Sequence, residues 1–100
     1  MALLPFASIA VLHAIADGRR FGFDIIDITG LRSGTVYPVL EKLEGAGLVT
    51  SAWENAERAR RDKRPPRRYF DLTNAGVAAL TEGLGRYRNL KPVSLRTRRA

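Results

Sequence analysis

The stretch 55–68 carries seven arginines and lysines against two acids. Charge at that density cannot enter a protein core. It is bracketed by two short runs suited to strands, 48–54 with Val49 and Trp53, and 68–72 with Tyr69, Phe70 and Leu72, which pair as an antiparallel hairpin. A two-stranded ribbon is marginal alone. The chain must therefore hang this hairpin, with a long basic loop at its tip, on a core built elsewhere.

That core has to come from helices. Between 5 and 16, Ile9, Leu12 and Ala16, flanked by Val11 and Ile15, recur at three-to-four spacing and predict a helix with a wide apolar face. Asp17-Gly18-Arg19-Arg20 is a turn. Phe23, Ile25, Ile26 and Ile28 then suit a short second helix ended by Gly30. In a third helix Val36, Leu40 and Leu43 face inward, Gly47 is placed as the residue after its end, and Leu48 supplies the hydrophobic contact beyond it. Ser33 or Thr35 can cap this helix: a cap at Ser33 loses one backbone bond at Pro38, whereas a cap at Thr35 puts Pro38 in the first turn. After the hairpin, Thr73 is the N-cap of a last helix, in which Val77, Leu80, Leu84 and Tyr87 follow a coiled-coil spacing. Pro92 stops it, and an Arg-rich end, expected to be disordered, follows.

Length and composition set the class. One hundred residues, 45% hydrophobic and 27% charged, make one compact domain and exclude a multidomain enzyme. With no cysteine and the single His13, disulfides, thiolate nucleophiles and cysteine or histidine metal clusters are excluded, so no cofactor is expected. His13 has no assigned role. Asp24 with Asp27 and Glu41 with Glu44 read as solvated helix faces, and no nucleophile–base set is present, so the chain is expected not to be an enzyme. Gly45-Ala46-Gly47 and Gly83-Leu84-Gly85 do not extend to a dinucleotide fingerprint, because Thr50 and Arg88 stand where its third glycine belongs. The segment 1–16 is nearly all apolar and ends like a cleavage site, yet it lacks a basic start and is broken by Pro5 and His13. A cytoplasmic protein without a membrane span is expected.

The formal net charge of +7 is placed unevenly: residues 1–54 are net −2, 55–68 are +5, and 86–100 hold six basic groups and no acid. A charge run is often only a solvated loop, but this one-sided excess points to a polyanion. Three helices, a hairpin and a basic loop describe a winged helix-turn-helix, mainly α with a small β-hairpin, in which helix three enters the major groove and the loop lies along the backbone or in the minor groove. Arg58, Arg60, Arg61, Lys63, Arg64 and Arg67 are then phosphate ligands, on an arm stiffened by Pro65-Pro66 so that it projects. At the front of helix three Arg32, Ser33, Thr35, Tyr37 and Lys42 can hydrogen-bond bases or phosphates. Ser33 and Thr35 have capping, and Tyr37 half-burial, as their other reading.

The order Ala10-Val11-Leu12, Gly22-Phe23-Asp24-Ile25-Ile26, Ser33-Gly34-Thr35-Val36-Tyr37-Pro38-Val39-Leu40, Leu43-Glu44, Gly47-Leu48-Val49 and Arg68-Tyr69-Phe70-Asp71-Leu72-Thr73-Asn74-Ala75-Gly76 resembles the PadR family of bacterial transcriptional regulators. The resemblance runs from about residue 9 to residue 80. It implies a dimeric repressor of a palindromic operator that binds double-stranded DNA through helix three and the wing, dimerises through terminal helices, and is often released by small aromatic or drug-like ligands. Three departures stand out. The family usually has Tyr where this chain has Phe23, so a hydroxyl that commonly reaches a phosphate is absent and Phe23 is left a core role. The wing is longer and more basic than usual. Trp53 lies on the first strand, packed against the hairpin and helix three, and does not correspond to the drug-stacking tryptophan of some members.

The expected organisation is thus a winged-helix DNA-binding domain over 1–73, a dimerisation helix over 74–90 and a basic tail over 91–100. Leu3, Leu4 and Phe6 of one copy are expected to cover Val77, Leu80, Leu84 and Tyr87 of the other. The alternative is a winged-helix module that binds a protein or RNA partner without operator specificity.

Overall fold

The computed structural model describes residues 4–90, and of 87–90 the backbone alone. Its elements are α1 (Phe6–Ala16), α2 (Gly22–Thr29), α3 (Ser33–Gly45), β1 (Val49–Trp53), α4 (Ala56–Arg61), β2 (Arg68–Leu72) and α5 (Asn74–Leu90). None of the described helices is long and apolar enough to cross a membrane.

α1 is the hub. Its apolar residues leave only a narrow stripe of Phe6, His13 and Ala16 to solvent, and a helix apolar on nearly every side has to be surrounded. It packs against α2, α3, α5 and β2, so that Val11 and Leu12 meet Ile25, Val36, Leu40, Val49 and Phe70 in one core. The end of α3 follows the sequence expectation. Gly47 takes φ 79°, its N–H reaches the Glu44 carbonyl, and the Leu48 N–H reaches that of Leu43, each at 3.0 Å, which is the paired closure a left-handed glycine permits.

The start of α3 is different. Neither Ser33 nor Thr35 caps it: Arg32 holds the N-cap position with no side-chain hydrogen bond. Pro38 consequently lies beyond the first turn, where the Gly34 carbonyl loses its helical donor. Gly34 is exposed, so water can serve that carbonyl.

β1 and β2 pair antiparallel, Val49 opposite Leu72, Ser51 opposite Phe70 and Trp53 opposite Arg68. The far edge of β2 is also covered, because Phe21 bridges Tyr69 and the Phe70 N–H donates to the Arg20 carbonyl at 2.9 Å. The linker before α2 is thus bound to the sheet, and a single bridge leaves no periodicity by which sequence could reveal it.

α5 begins as expected, with the Gly76 N–H donating to Thr73 Oγ1 at 3.0 Å while that hydroxyl donates to the Gly47 carbonyl at 2.7 Å. Its glycines let it approach the core. A Cβ at Gly76 would lie 2.0 Å from the Leu48 carbonyl oxygen, and one at Gly83 would lie 2.2 Å from Ile9 Cδ1. Leu80, between them, is only 7% exposed. The expected seam is therefore split: Leu80 belongs to the chain's own core and is corrected as a dimer contact.

Gly76→Ala should accordingly destabilise the fold even though Ala favours helices, because a backbone carbonyl cannot step aside. Overpacking of this kind costs about 1–3 kcal/mol, against a propensity gain of about 1. A urea titration reading the helical signal should show the lower midpoint; an unchanged or raised midpoint would refute this close approach.

Candidate nucleic-acid interface

The basic stretch is not the open loop expected from its charge. Residues Ala56–Arg61 form α4, with Asn55 as a side-chain cap accepting from the Arg58 N–H at 3.0 Å. Ala, Glu and Arg favour helix and Asn favours the cap, so the helical signal lies beneath the charge. The helix ends through Lys63 at φ 58°, with the Lys63 N–H on the Arg60 carbonyl at 3.0 Å and the Arg64 N–H on that of Ala59 at 3.1 Å. Ala59 is fully buried, so it is the residue that α4 turns away from solvent.

The chain then folds back onto Glu54. Both Glu54 carboxylate oxygens accept from the Arg64 guanidinium, Oε2 at 2.8 Å. Oε1 also accepts the Arg67 N–H at 3.2 Å and lies 3.6 Å from Arg67 Nε. The backbone joins in, with the Glu54 N–H on the Arg67 carbonyl at 2.7 Å. Arg64 and Arg67, read from sequence as phosphate ligands, thus both engage Glu54: Arg64 through a guanidinium fork that matches the two carboxylate oxygens, Arg67 chiefly through its backbone N–H. No local pattern marks Glu54 for this role, since its partners lie ten and thirteen residues away.

The Arg64 hydrogen bond first, then the Arg67 backbone and side chain, pull the Glu54 carboxyl down from 4.5 to about 2, against the opposing effect of burial. A carboxyl whose value falls on folding stabilises the fold while ionised. Its contribution is complete at neutral pH and drains as pH falls from about 4.5 to about 2. Trp53, adjacent to Glu54, should report the titration in the folded chain: its emission is expected to stay flat from pH 7 through 4.5 and to change only as pH approaches about 2, whereas in Glu54→Gln that acid-dependent change is absent. A wild-type transition centred near pH 6 would contradict this.

Among the described residues, Arg32, Lys42, Arg58, Arg61 and Lys63 have no side-chain partner, and Arg60 has only a loose pairing with Glu57 at 3.7 Å. On α3, Thr35 and Lys42 lie seven apart on one flank, with Thr35 half-buried and Lys42 exposed. Tyr37 lies on the opposite flank, against Gly22 at the start of α2, where a Cβ would come 2.6 Å from its hydroxyl. Ser33 and Arg32 are exposed at the helix entrance. The hairpin base is tied to the end of α3: Arg68 donates to Glu44 at 2.8 Å and to Ser51 Oγ at 3.1 Å, and Ser51 donates to Glu44 at 2.8 Å.

Between these parts runs a groove of about 350 Å³ lined by Phe21, Phe23, Tyr37, Trp53 and Arg67. Trp53 is 67% and Phe23 75% exposed, so the packed role expected for each is corrected: both stand at the groove's rim. A second apolar surface lies elsewhere, where Phe6, His13, Ile28 and Leu84 line a groove of about 300 Å³. Val77 and Leu84, seven apart on α5, are 51% and 36% exposed. Leu4 is half-buried against the core. Leu3, the Tyr87 side chain and the tail 91–100 lie outside the described residues.

The family model described as Transcriptional regulator PadR-like family matches residues 11–82. This chain belongs to the PadR-like family of transcriptional regulators. The matched span contains all of α3, the wing and the first half of α5. A PadR family regulator from hypervirulent Clostridium difficile superposes with TM-score 0.77 at 22% identity, covering 93% of this chain and 98% of that one. A PadR-like transcription factor from Bacteroides fragilis gives TM-score 0.69 at 22% identity, over 90% and 87% of the two chains. BpsR of Bordetella bronchiseptica, whose DNA binding is described as regulated by 6-hydroxynicotinic acid, gives 0.70 at 24% identity, over 86% and 61%. At these identities the likeness is one of fold, the winged helix. No curated protein matches it. As a member of this family the chain is a DNA-binding regulator.

Proposed function

We propose that this chain is a homodimeric repressor that recognises a palindromic operator, with α3 choosing the sequence and the wing supplying affinity, and that a small aromatic ligand releases it. The observation that carries this reading is the wing itself. It is a capped helix presenting Arg58 and Arg61, followed by a turn presenting Lys63, all three without internal partners, joined through the Glu54 cluster and the Phe21–Tyr37 groove to the helix that would enter the major groove. Unpaired cations on a rigid element favour phosphates, whereas base choice has to come from α3, where Thr35 can meet a thymine methyl and Arg32, Ser33 and Lys42 can reach base edges or phosphates. Tyr37, turned toward α2 and the wing, suits a phosphate. The dimer is supported by the exposed Val77, Leu84 and Ile28 beside Phe6, an apolar surface that association would cover. The ligand reading rests on the family resemblance and on the behaviour described for BpsR.

Selection of bound molecules from random duplexes tests the reading. A two-fold symmetric consensus is expected. Binding that is salt-sensitive yet recovers no consensus would refute operator recognition and return the chain to a module for some other partner.

A further inference from the structure

We propose that Glu54 is the positioning residue of the wing: by holding Arg64 and Arg67 together it sets the direction in which α4 presents Arg58, Arg60 and Arg61 to the DNA backbone. This rests on the reading of the wing as the phosphate-binding arm. The placement of Glu54 needs an explanation, because an acid in a phosphate-binding arm repels the polyanion and, by charge alone, weakens binding. Its geometry supplies one. The carboxylate lies where the chain leaves β1, and it grips the two arginines through which the chain returns from α4. Both ends of the α4 excursion are thereby fixed to one side chain that is only 10% exposed.

The path continues toward α3. The Arg67 guanidinium lies 3.9 Å from the centroid of the Phe21 ring, a favourable cation–aromatic distance. Phe21 is the N-cap of α2, and the adjacent Gly22 is the residue against which Tyr37 of α3 packs. Glu54, Arg67, Phe21, Gly22 and Tyr37 therefore form an unbroken path from the wing to the recognition helix. Phosphates along the DNA backbone are fixed in space, so cations engage several at once only when wing and α3 keep one relative orientation.

The test exploits opposite signs. Glu54→Gln removes a negative charge, and Arg64→Lys keeps the positive charge but loses the two-pronged grip. Charge alone makes the first bind any duplex more tightly and leaves the second unchanged. Positioning makes both bind more weakly, by about fivefold at 0.15 M salt, and reduces the magnitude of the slope of log K against log salt by about 0.9 for each phosphate that the wing no longer reaches. The double variant should then be no weaker than the weaker single one, since both break the same pair. In both single variants the lone tryptophan, Trp53, should show faster fluorescence depolarisation with the helical signal at 25 °C retained, whereas the melting temperature of Glu54→Gln should fall because the ionised carboxylate no longer contributes to stability. Tighter binding by Glu54→Gln together with unchanged binding by Arg64→Lys would overturn the proposal while leaving the wing as a DNA-binding arm. If replacing Arg58, Arg60 and Arg61 by Ala left the salt slope unaltered, the underlying reading would fail and this inference with it. Should Glu54→Gln not fold, Arg64→Lys decides: wild-type binding by that variant overturns the proposal.

Discussion

Replacing Arg58, Arg60 and Arg61 together by Ala should weaken binding to every duplex by roughly a hundredfold at 0.15 M salt and reduce the magnitude of the salt slope by about 2.7, at about 0.9 per phosphate neutralised. α4 should survive the change, because Ala is the best helix former and the Asn55 cap and the Glu54 cluster are untouched. The pairing that Arg60 makes with Glu57, at 3.7 Å between two largely exposed side chains, contributes little to stability. Arg64 is left in place because its removal would release Glu54 and confuse a weaker hold on phosphate with a change in the wing's shape. Thr35→Ser, which removes the methyl offered to thymine, should behave in the opposite way, shifting preference at one base pair by about 1 kcal/mol with the salt slope intact. A triple variant that changed sequence preference and kept its slope would refute the division of labour between α3 and the wing.

Val77→Asp combined with Leu84→Asp should produce a folded monomer whose affinity for the palindrome falls by about 10²- to 10⁴-fold while it binds an isolated half-site as before, because engagement of the second half-site is no longer intramolecular. Both side chains are substantially exposed in the single chain, so the aspartates need no burial and the helical signal should be retained. Leu80→Asp is a different experiment. That residue belongs to the same core as Ile9 and Phe70, and a buried unpaired carboxylate would unfold the chain before it reported on association. A double variant that still sediments as a dimer and binds the palindrome at wild-type strength would remove this flank of α5 from the interface.

What can be read from the sequence divides along physical lines. Features set by local chemistry are visible in it. Gly47 ends α3 because only a left-handed residue fits there, Thr73 caps α5 because its hydroxyl serves a free N–H, and the paired strands follow from their aromatic and β-branched content. Features set by partners distant in sequence are not. Spacing draws a stripe through Val77, Leu80 and Leu84, but which part faces the chain's own core is decided by Gly76 and Gly83, whose missing side chains let α5 approach Leu48 and Ile9. Apolar identity likewise suggests burial for Phe23 and Trp53, and both prove exposed, since a large apolar residue is not obliged to be inside. In the candidate site, charge density alone groups Arg64 and Arg67 with the free cations of α4. Only the placement of Glu54 beside both separates them, and α4 itself is hidden when charge density is read as a loop signal.

Sedimentation of the chain with its selected duplex at micromolar concentration tests the central claim most directly, because it counts protein chains per DNA molecule. Two chains per palindromic duplex, already paired in the absence of DNA, is the expected result. One folded chain per duplex, still bound tightly and with the same consensus, would contradict a two-fold regulator built on α5.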